Sequence, residues 1–128
     1  MKYLLDTHGA LWAAEGDSQL GKSARKALLS ASYGDAFISD ITLLEIAMLA
    51  EKERIRLEIA VTEYLTRLQA LYQPVRTTPT IAALAMDLPL PQGDPFDRVI
   101  VAAAIDHKLT LITRDQHIIE SGLVPTLW

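Results

Sequence analysis

The 128-residue chain is 50% hydrophobic and 22% charged, with a formal net charge of −4, which suits one domain over residues 1–128 able to bury a core without staples. It has no cysteine, which excludes disulfides, thiolate metal sites and cysteine nucleophiles and fits a cytoplasmic protein. The acidic balance argues against a nonspecific nucleic-acid binder, unless divalent ions neutralise part of it.

Residues 2–6 read as a short buried strand, and residues 8–14 as a turn or two of helix closed by Gly16. Lys22 to Ser32 carries Ala24, Ala27, Leu28 and Ala31 at helical spacing. After a turn at Gly34-Asp35, Ala36-Phe37-Ile38 is a second strand. Ser39 or Asp40 then caps a helix over about Ile41–Glu53. A further helix is predicted over about Glu58–Tyr72, and Pro74 to Thr77 reads as a third strand. Pro79 opens a small-residue helix over Thr80–Met86, and Leu88 to Gly93 is a loop. Asp94-Pro95 starts a helix reaching about His107. Leu109–Thr113 is a strand, Asp115–Glu120 a short helix, and Val124–Leu127 a last strand. No apolar run approaches the ~20 residues of a membrane span. Asp6 interrupts the first apolar run too soon for a signal peptide. Strands alternating with helices predict an α/β layer fold with a mainly parallel sheet. Ligands of such sheets sit beyond the carboxyl ends of the strands, where Asp6 and Asp115 fall.

Apolar runs in this chain repeatedly meet a carboxylate. Asp6 and Asp115 each have an ordinary explanation as a helix N-cap. Asp94, followed by Pro95, is best explained as a cap, and Asp97 stands where a capping-box acid would. Glu45 is harder to account for, because Ile41 and Leu49 lie four residues to either side on its own helix face. Ionised carboxylates avoid apolar surroundings unless paired or metal-bound. An all-oxygen set suits a hard cation such as Mg²⁺ or Mn²⁺. His8, His107 and His117 show no zinc-type spacing. No Walker loop, Gly-x-Ser-x-Gly or Gly-x-Gly-x-x-Gly is present.

At these residues the chain resembles the PIN-domain proteins, and among them the VapC-type toxins of VapBC toxin–antitoxin pairs. The matching pieces are Leu4-Leu5-Asp6-Thr7-His8, then Ser39-Asp40-Ile41-Thr42-Leu43-Leu44-Glu45-Ile46. Asp94-Pro95-Phe96-Asp97-Arg98 follows, with Ala102 and Ala104, and then Leu111-Ile112-Thr113-Arg114-Asp115. They occur in order across almost the whole chain, and Asp-Pro-Phe-Asp-Arg is the sharpest.

The resemblance implies a PIN-like α/β/α sandwich with a short, mainly parallel central sheet. It implies a Mg²⁺- or Mn²⁺-dependent endoribonuclease, the toxin of a type II pair, cutting RNA to inhibit growth or translation. The family's acidic quartet falls on Asp6, Glu45, Asp97 and Asp115, which would serve as catalytic and metal-binding residues. Thr7, Ser39 and Thr113 match supporting polar positions. Many relatives carry a His or basic residue where this chain has Gln92-Gly93. Asp6 and Asp97 are the candidate direct ligands for one or two ions. Glu45 would ligate or orient water, and Asp115 would bind a second ion or act through water. Arg98 and Arg114 are candidates for RNA phosphate contacts or for ion pairs with a neighbouring acid. The expected partners are an RNA substrate, a cognate antitoxin and a second copy in a homodimer. The helical pair from Ile41 to Tyr72 would offer the groove. Haloacid-type phosphatases want an acid where His8 stands, and receiver domains want a late Lys that Arg114-Asp115 does not supply. A PIN-like DNA nuclease and a non-catalytic PIN-like binding module stay open as alternatives.

Overall fold

The computed structural model describes residues 1–91 and 94–128; Gln92 and Gly93 lie outside the described residues. The chain runs β1 (Tyr3–Leu5), α1 (Thr7–Glu15), α2 (Lys22–Ser30), a 3₁₀ turn (Tyr33–Asp35), β2 (Ala36–Ser39) and α3 (Asp40–Glu51). It continues through α4 (Val61–Leu71), β3 (Gln73–Val75), α5 (Pro79–Asp87), α6 (Pro95–Asp106), β4 (Thr110–Ile112), α7 (Gln116–Ser121) and β5 (Thr126–Leu127). The five strands pair in the order β3-β2-β1-β4-β5. Every pairing is parallel. The expected α/β layer fold is therefore present, and its sheet is parallel throughout the described strands.

Alternation along the strands builds the two faces. Leu4 and Leu111 enter one core cluster, with Val75 from β3, Ile81 and Ala85 from α5, and Ile100 to Ala104 from α6. Leu5 and Ile112 point the other way, into a cluster with Ala10 and Leu11 of α1, Ala24 of α2, Ile46 of α3 and Leu68 of α4. Successive strand side chains face opposite sides, so three-residue strands suffice to seat helices on both faces. Residues Ile100 to Ala104 are all buried. The small residues of this stretch let α6 lie close to the sheet and to α5.

Two boundaries differ from the sequence reading for local reasons. The helix expected from Glu58 starts at Val61, with Ala60 as its N-cap. In the preceding link, Ile55, Leu57 and Ile59 turn inward while the residues between them stay exposed, a period of two rather than 3.6. The third strand ends at Val75 instead of Thr77. Thr77 is drawn off to Asp40, whose carboxylate accepts from its amide at 2.9 Å and also from its hydroxyl. Pro74 is tolerated because β3 is an edge strand.

The strand order has one reversal. From β1 the chain steps outward to β2 and β3, then crosses to β4 and β5 on the other side of β1. The crevice beyond the carboxyl ends of β1 and β4 is therefore the switch point, the standard ligand position in such sheets.

Candidate active site

Register places the first two acids. Leu5 pairs with Ile112 of β4 and Ile38 of β2, so the next residues, Asp6, Thr113 and Ser39, meet at the sheet's edge. The Asp6 amide donates to the Ile112 carbonyl at 3.1 Å. Asp6 is then the N-cap of α1, accepting from the Gly9 amide at 2.7 Å. Asp115 is the N-cap of α7, accepting from the Ile118 amide at 3.1 Å. Capping and facing the crevice are the same placement here, because both helices begin where their strands stop.

Thr113 is fully buried and its hydroxyl accepts from the Asp115 amide at 3.1 Å. Ser39, also buried, caps α3 through the Ile41 amide at 3.2 Å. Thr7 is buried and donates its hydroxyl to Glu45 Oε1 at 2.5 Å. Thr42 Oγ1 lies 3.1 Å from Thr7 Oγ1. With the Thr7 proton given to Glu45, the Thr42 hydroxyl is the donor to Thr7, and a two-hydroxyl chain orients the carboxylate. Thr42 was not singled out from sequence. The available signal was its place three residues before Glu45, on the same helix face.

Asp94 caps α6 through the Phe96 amide at 2.9 Å, as its sequence context suggested. Asp97 follows in the first turn but accepts no protein hydrogen bond among the described residues. Burial pushes the Asp97 carboxyl up to about 7, helped by the negative charges of Asp94, Glu45, Asp115 and Asp6. Burial also raises Asp6, against the pull of Thr113, the Gly9 amide and His8; Asp115 adds to the rise. Glu45 is raised by burial and then by Asp94 and Asp6, while Thr7 and His8 oppose it. Asp6, Glu45, Asp97 and Asp115 thus share one field, and Asp94 contributes charge to it as well as capping.

Among the described residues no ion pair answers that field. The ion pairs among the described residues are Arg67–Glu63 and His107–Asp106, both remote from it. Arg98 spends its guanidinium on the carbonyls of Ala85, Leu88 and Leu90 at 2.8–3.0 Å. It closes the end of α5, and among the described residues it pairs with no acid. Arg114 is exposed and sits over the Trp12 ring, 4.4 Å from its centroid. A hollow of about 330 Å³ is lined by Asp6, His8, Trp12, Arg114 and Asp115. A second, of about 290 Å³, is lined by Glu45, Met48, Leu49, Lys52, Arg54, Asp94 and Phe96. From sequence His8 reads as an ordinary residue, and Trp12 carries no reading of its own.

The donor chemistry fits a hard cation: the oxygens make no ion pair among the described residues, and Asp6, Glu45 and Asp97 are raised in pKa first by burial and then by neighbouring acids. Among the described residues no three His, Asp or Glu side chains close a ligand set on their own.

An α/β/α sandwich with acids gathered at the switch point of a parallel sheet is the plan of the PIN-like proteins. The chain belongs to the PIN-domain family, whose model matches residues 3–121. It is 39% identical over 116 residues to "Ribonuclease VapC22" of Mycobacterium tuberculosis, covering 90% of this chain and 88% of that protein. Two solved structures share the fold. A toxin–antitoxin complex from Klebsiella pneumoniae gives a TM-score of 0.68 at 23% identity, over 96% of this chain and 95% of that one. VapBC2 from Rickettsia felis, bound to a DNA fragment from its promoter, gives 0.70 at 17% identity, over 99% and 98%.

Proposed function

We propose that the protein is a divalent-metal-dependent endoribonuclease and the toxin of a toxin–antitoxin pair. The observation that carries this reading is the field of carboxylates at the switch point, left without a basic partner among the described residues. The likeness to a mycobacterial ribonuclease across nine-tenths of the chain supplies the substrate class. Asp6 and Asp97 would hold Mg²⁺ or Mn²⁺, with Glu45 and Asp115 completing the set directly or through water. A divalent ion held there lowers the pKa of water and offsets negative charge growing on a phosphate oxygen. The chain's own work is placement. The Gly9 amide fixes Asp6, Thr7 fixes Glu45, and Thr113 fixes the loop carrying Asp115. Lys52 and Arg54 on one flank and Arg114 on the other supply positive charge for the RNA backbone.

For the partner, the supporting surface is an apolar cleft of about 290 Å³ away from the acids. Ala14, Leu57, Ile59, Tyr64, Leu68 and Leu71 line it, with the charged Glu15, Arg56, Glu58 and Arg67 around them. The Tyr64 hydroxyl there is buried with no hydrogen-bond partner among the described residues. An amphipathic antitoxin helix could fill such a groove. A homodimer and a cytoplasmic setting are part of the same reading. No helix among the described residues is long and apolar enough to cross a membrane.

The test is cleavage of RNA by the purified protein with Mg²⁺ or Mn²⁺. EDTA, Asp6→Asn and Asp97→Asn should each lower the rate by at least about a hundredfold, the scale of losing one strong transition-state contact. Cleavage that survives all three would sink the metal–carboxylate reading.

A further inference from the structure

The hollow containing Asp6 and Asp115 has an aromatic wall that the carboxylate chemistry does not explain. His8 and Trp12 stand four residues apart on one face of α1, with ring centroids 5.4 Å apart and planes tilted by 49°. Trp128 meets Trp12 edge-on, 5.8 Å between centroids at 69°. Gly21 makes room for Trp128, since a Cβ there would collide with that residue's backbone and indole. Trp12 is therefore braced from behind, while its ring also lines the hollow with the two acids. A smaller hollow of about 190 Å³ lies on the far side of the same ridge, lined by His8, Leu11, Trp12, Glu15, Ile55 and Arg56.

Arg114 covers the indole. It is exposed, and among the described residues it makes neither an ion pair nor a hydrogen bond, although Asp115 is its neighbour in sequence and in the pocket. An exposed guanidinium on an indole is a weak contact, whereas a nucleobase stacked on an aromatic ring is a stronger one. A base can therefore take the place of Arg114, which is then free to reach phosphate.

Resting on the ribonuclease reading above, we propose that Trp12, braced by Trp128, is the stacking platform for the base beside the scissile phosphate. Its ligand class is single-stranded RNA with an unstacked nucleotide. Arg114 is the group the base displaces, and it moves onto the adjoining phosphate. The platform is sequence-tolerant, because every base has a π-face. It selects for strand state, because a base inside a duplex cannot be splayed onto it. Arg56 lines the smaller hollow beside His8 and Trp12.

The experiment uses the full-length protein and a fluorescein-labelled, mixed-sequence single-stranded RNA whose cleaved bond is mapped first. Binding is read by anisotropy in an Asp97→Asn background, which blocks cleavage. Trp12→Ala should weaken binding roughly ten- to hundredfold, the scale of one stacked base, and Trp12→Phe should cost no more than about fivefold, since a smaller ring still stacks. An abasic nucleotide beside the cleaved bond should reproduce the Trp12→Ala loss in the Trp12 protein and cost nothing further in Trp12→Ala. If Trp12→Ala does not fold, the abasic comparison between Trp12 and Trp12→Leu decides. Additive losses overturn the platform, as does RNA binding unchanged by Trp12→Ala. Loss of antitoxin binding with RNA binding intact overturns it too, since the wall would then be a protein contact. In those cases the parent still cleaves RNA and the ribonuclease reading stands. A parent that neither binds nor cleaves RNA overturns both.

Discussion

Gly9 owes its place to Asp6. A Cβ at residue 9 would lie 2.8 Å from Asp6 Oδ1 and 3.4 Å from the Ile112 carbonyl oxygen. The first turn of α1 is thus pressed against the end of β4, with the cap carboxylate between them. In Gly9→Ala two stability effects oppose each other. Alanine favours the helix by up to about 1 kcal/mol, and displacing the cap costs about as much. The melting temperature should move by only a few degrees. Activity should respond more sharply, because a carboxylate moved by a fraction of an ångström no longer meets its ligand geometry. Cleavage by Gly9→Ala should fall at least about tenfold, measured beside its thermal melt. A folded variant cutting at the parent rate would show that the Asp6 position is not tightly set. Asp6 and Asp115 stood out in sequence because strand end and helix cap coincide at single residues, whereas Glu45 and Asp97 stood out as carboxylates within apolar helices. Gly9, Thr42 and Trp12 were harder to read, since the Ile112 carbonyl behind Gly9, the Thr7 hydroxyl beside Thr42 and the Trp128 ring beside Trp12 all come from other elements. Arg98 beside Asp97 suggested a phosphate contact or an ion pair, and only the packing of α5 against α6 shows that its donors go to carbonyls.

Helix ends follow one device at three places. Beyond α1, Gly16 is left-handed at φ 65°, with the Asp17 amide donating to the Trp12 carbonyl at 2.9 Å. Beyond α3, Glu53 takes φ 56°, and the Arg54 amide donates to the Leu49 carbonyl at 2.8 Å. Beyond α6, Lys108 takes φ 56°, and the Leu109 amide donates to the Ala104 carbonyl at 2.8 Å. These are Schellman ends, in which the left-handed residue is ordinarily glycine. Gly16 was readable as a stop for that reason, whereas Glu53 and Lys108 carry side chains that hide the signal. The left-handed conformation costs a non-glycine residue about 1 kcal/mol. Lys108 is exposed, so Lys108→Gly loses little packing. It should raise stability by roughly 0.5–1 kcal/mol in urea unfolding, with cleavage unchanged. A variant less stable than the parent would mean that the Lys108 side chain supports the end of α6 in some other way.

At the scale of the whole molecule, the carboxylate field makes folding oppose the charge it needs for function. Asp6, Glu45 and Asp97 are all raised above the ordinary carboxylate range, chiefly by burial. Between that range and about 7 for Asp97, the folded chain holds protons that the unfolded chain has released. Stability therefore falls as pH rises through this interval. It is fully present below the unfolded pKa and lost by the time pH passes the folded one. A divalent ion held there, as proposed, would reverse the trend, since it would bind the ionised field of the folded chain and stabilise it by mass action. Protons and metal would then compete for the same oxygens. In EDTA, the melting temperature should decline from pH 5.5 to pH 8. The increment from added Mg²⁺ should be small near pH 6 and grow above pH 7. Asp97→Asn should flatten the slope in EDTA and shrink the Mg²⁺ increment. Taking the difference between parent and variant isolates the contribution of this carboxyl. A slope in EDTA that is flat, or rises with pH, in that difference would mean that Asp97 is not held protonated by its surroundings. A Mg²⁺ increment independent of both pH and Asp97 would place any bound ion elsewhere on the molecule.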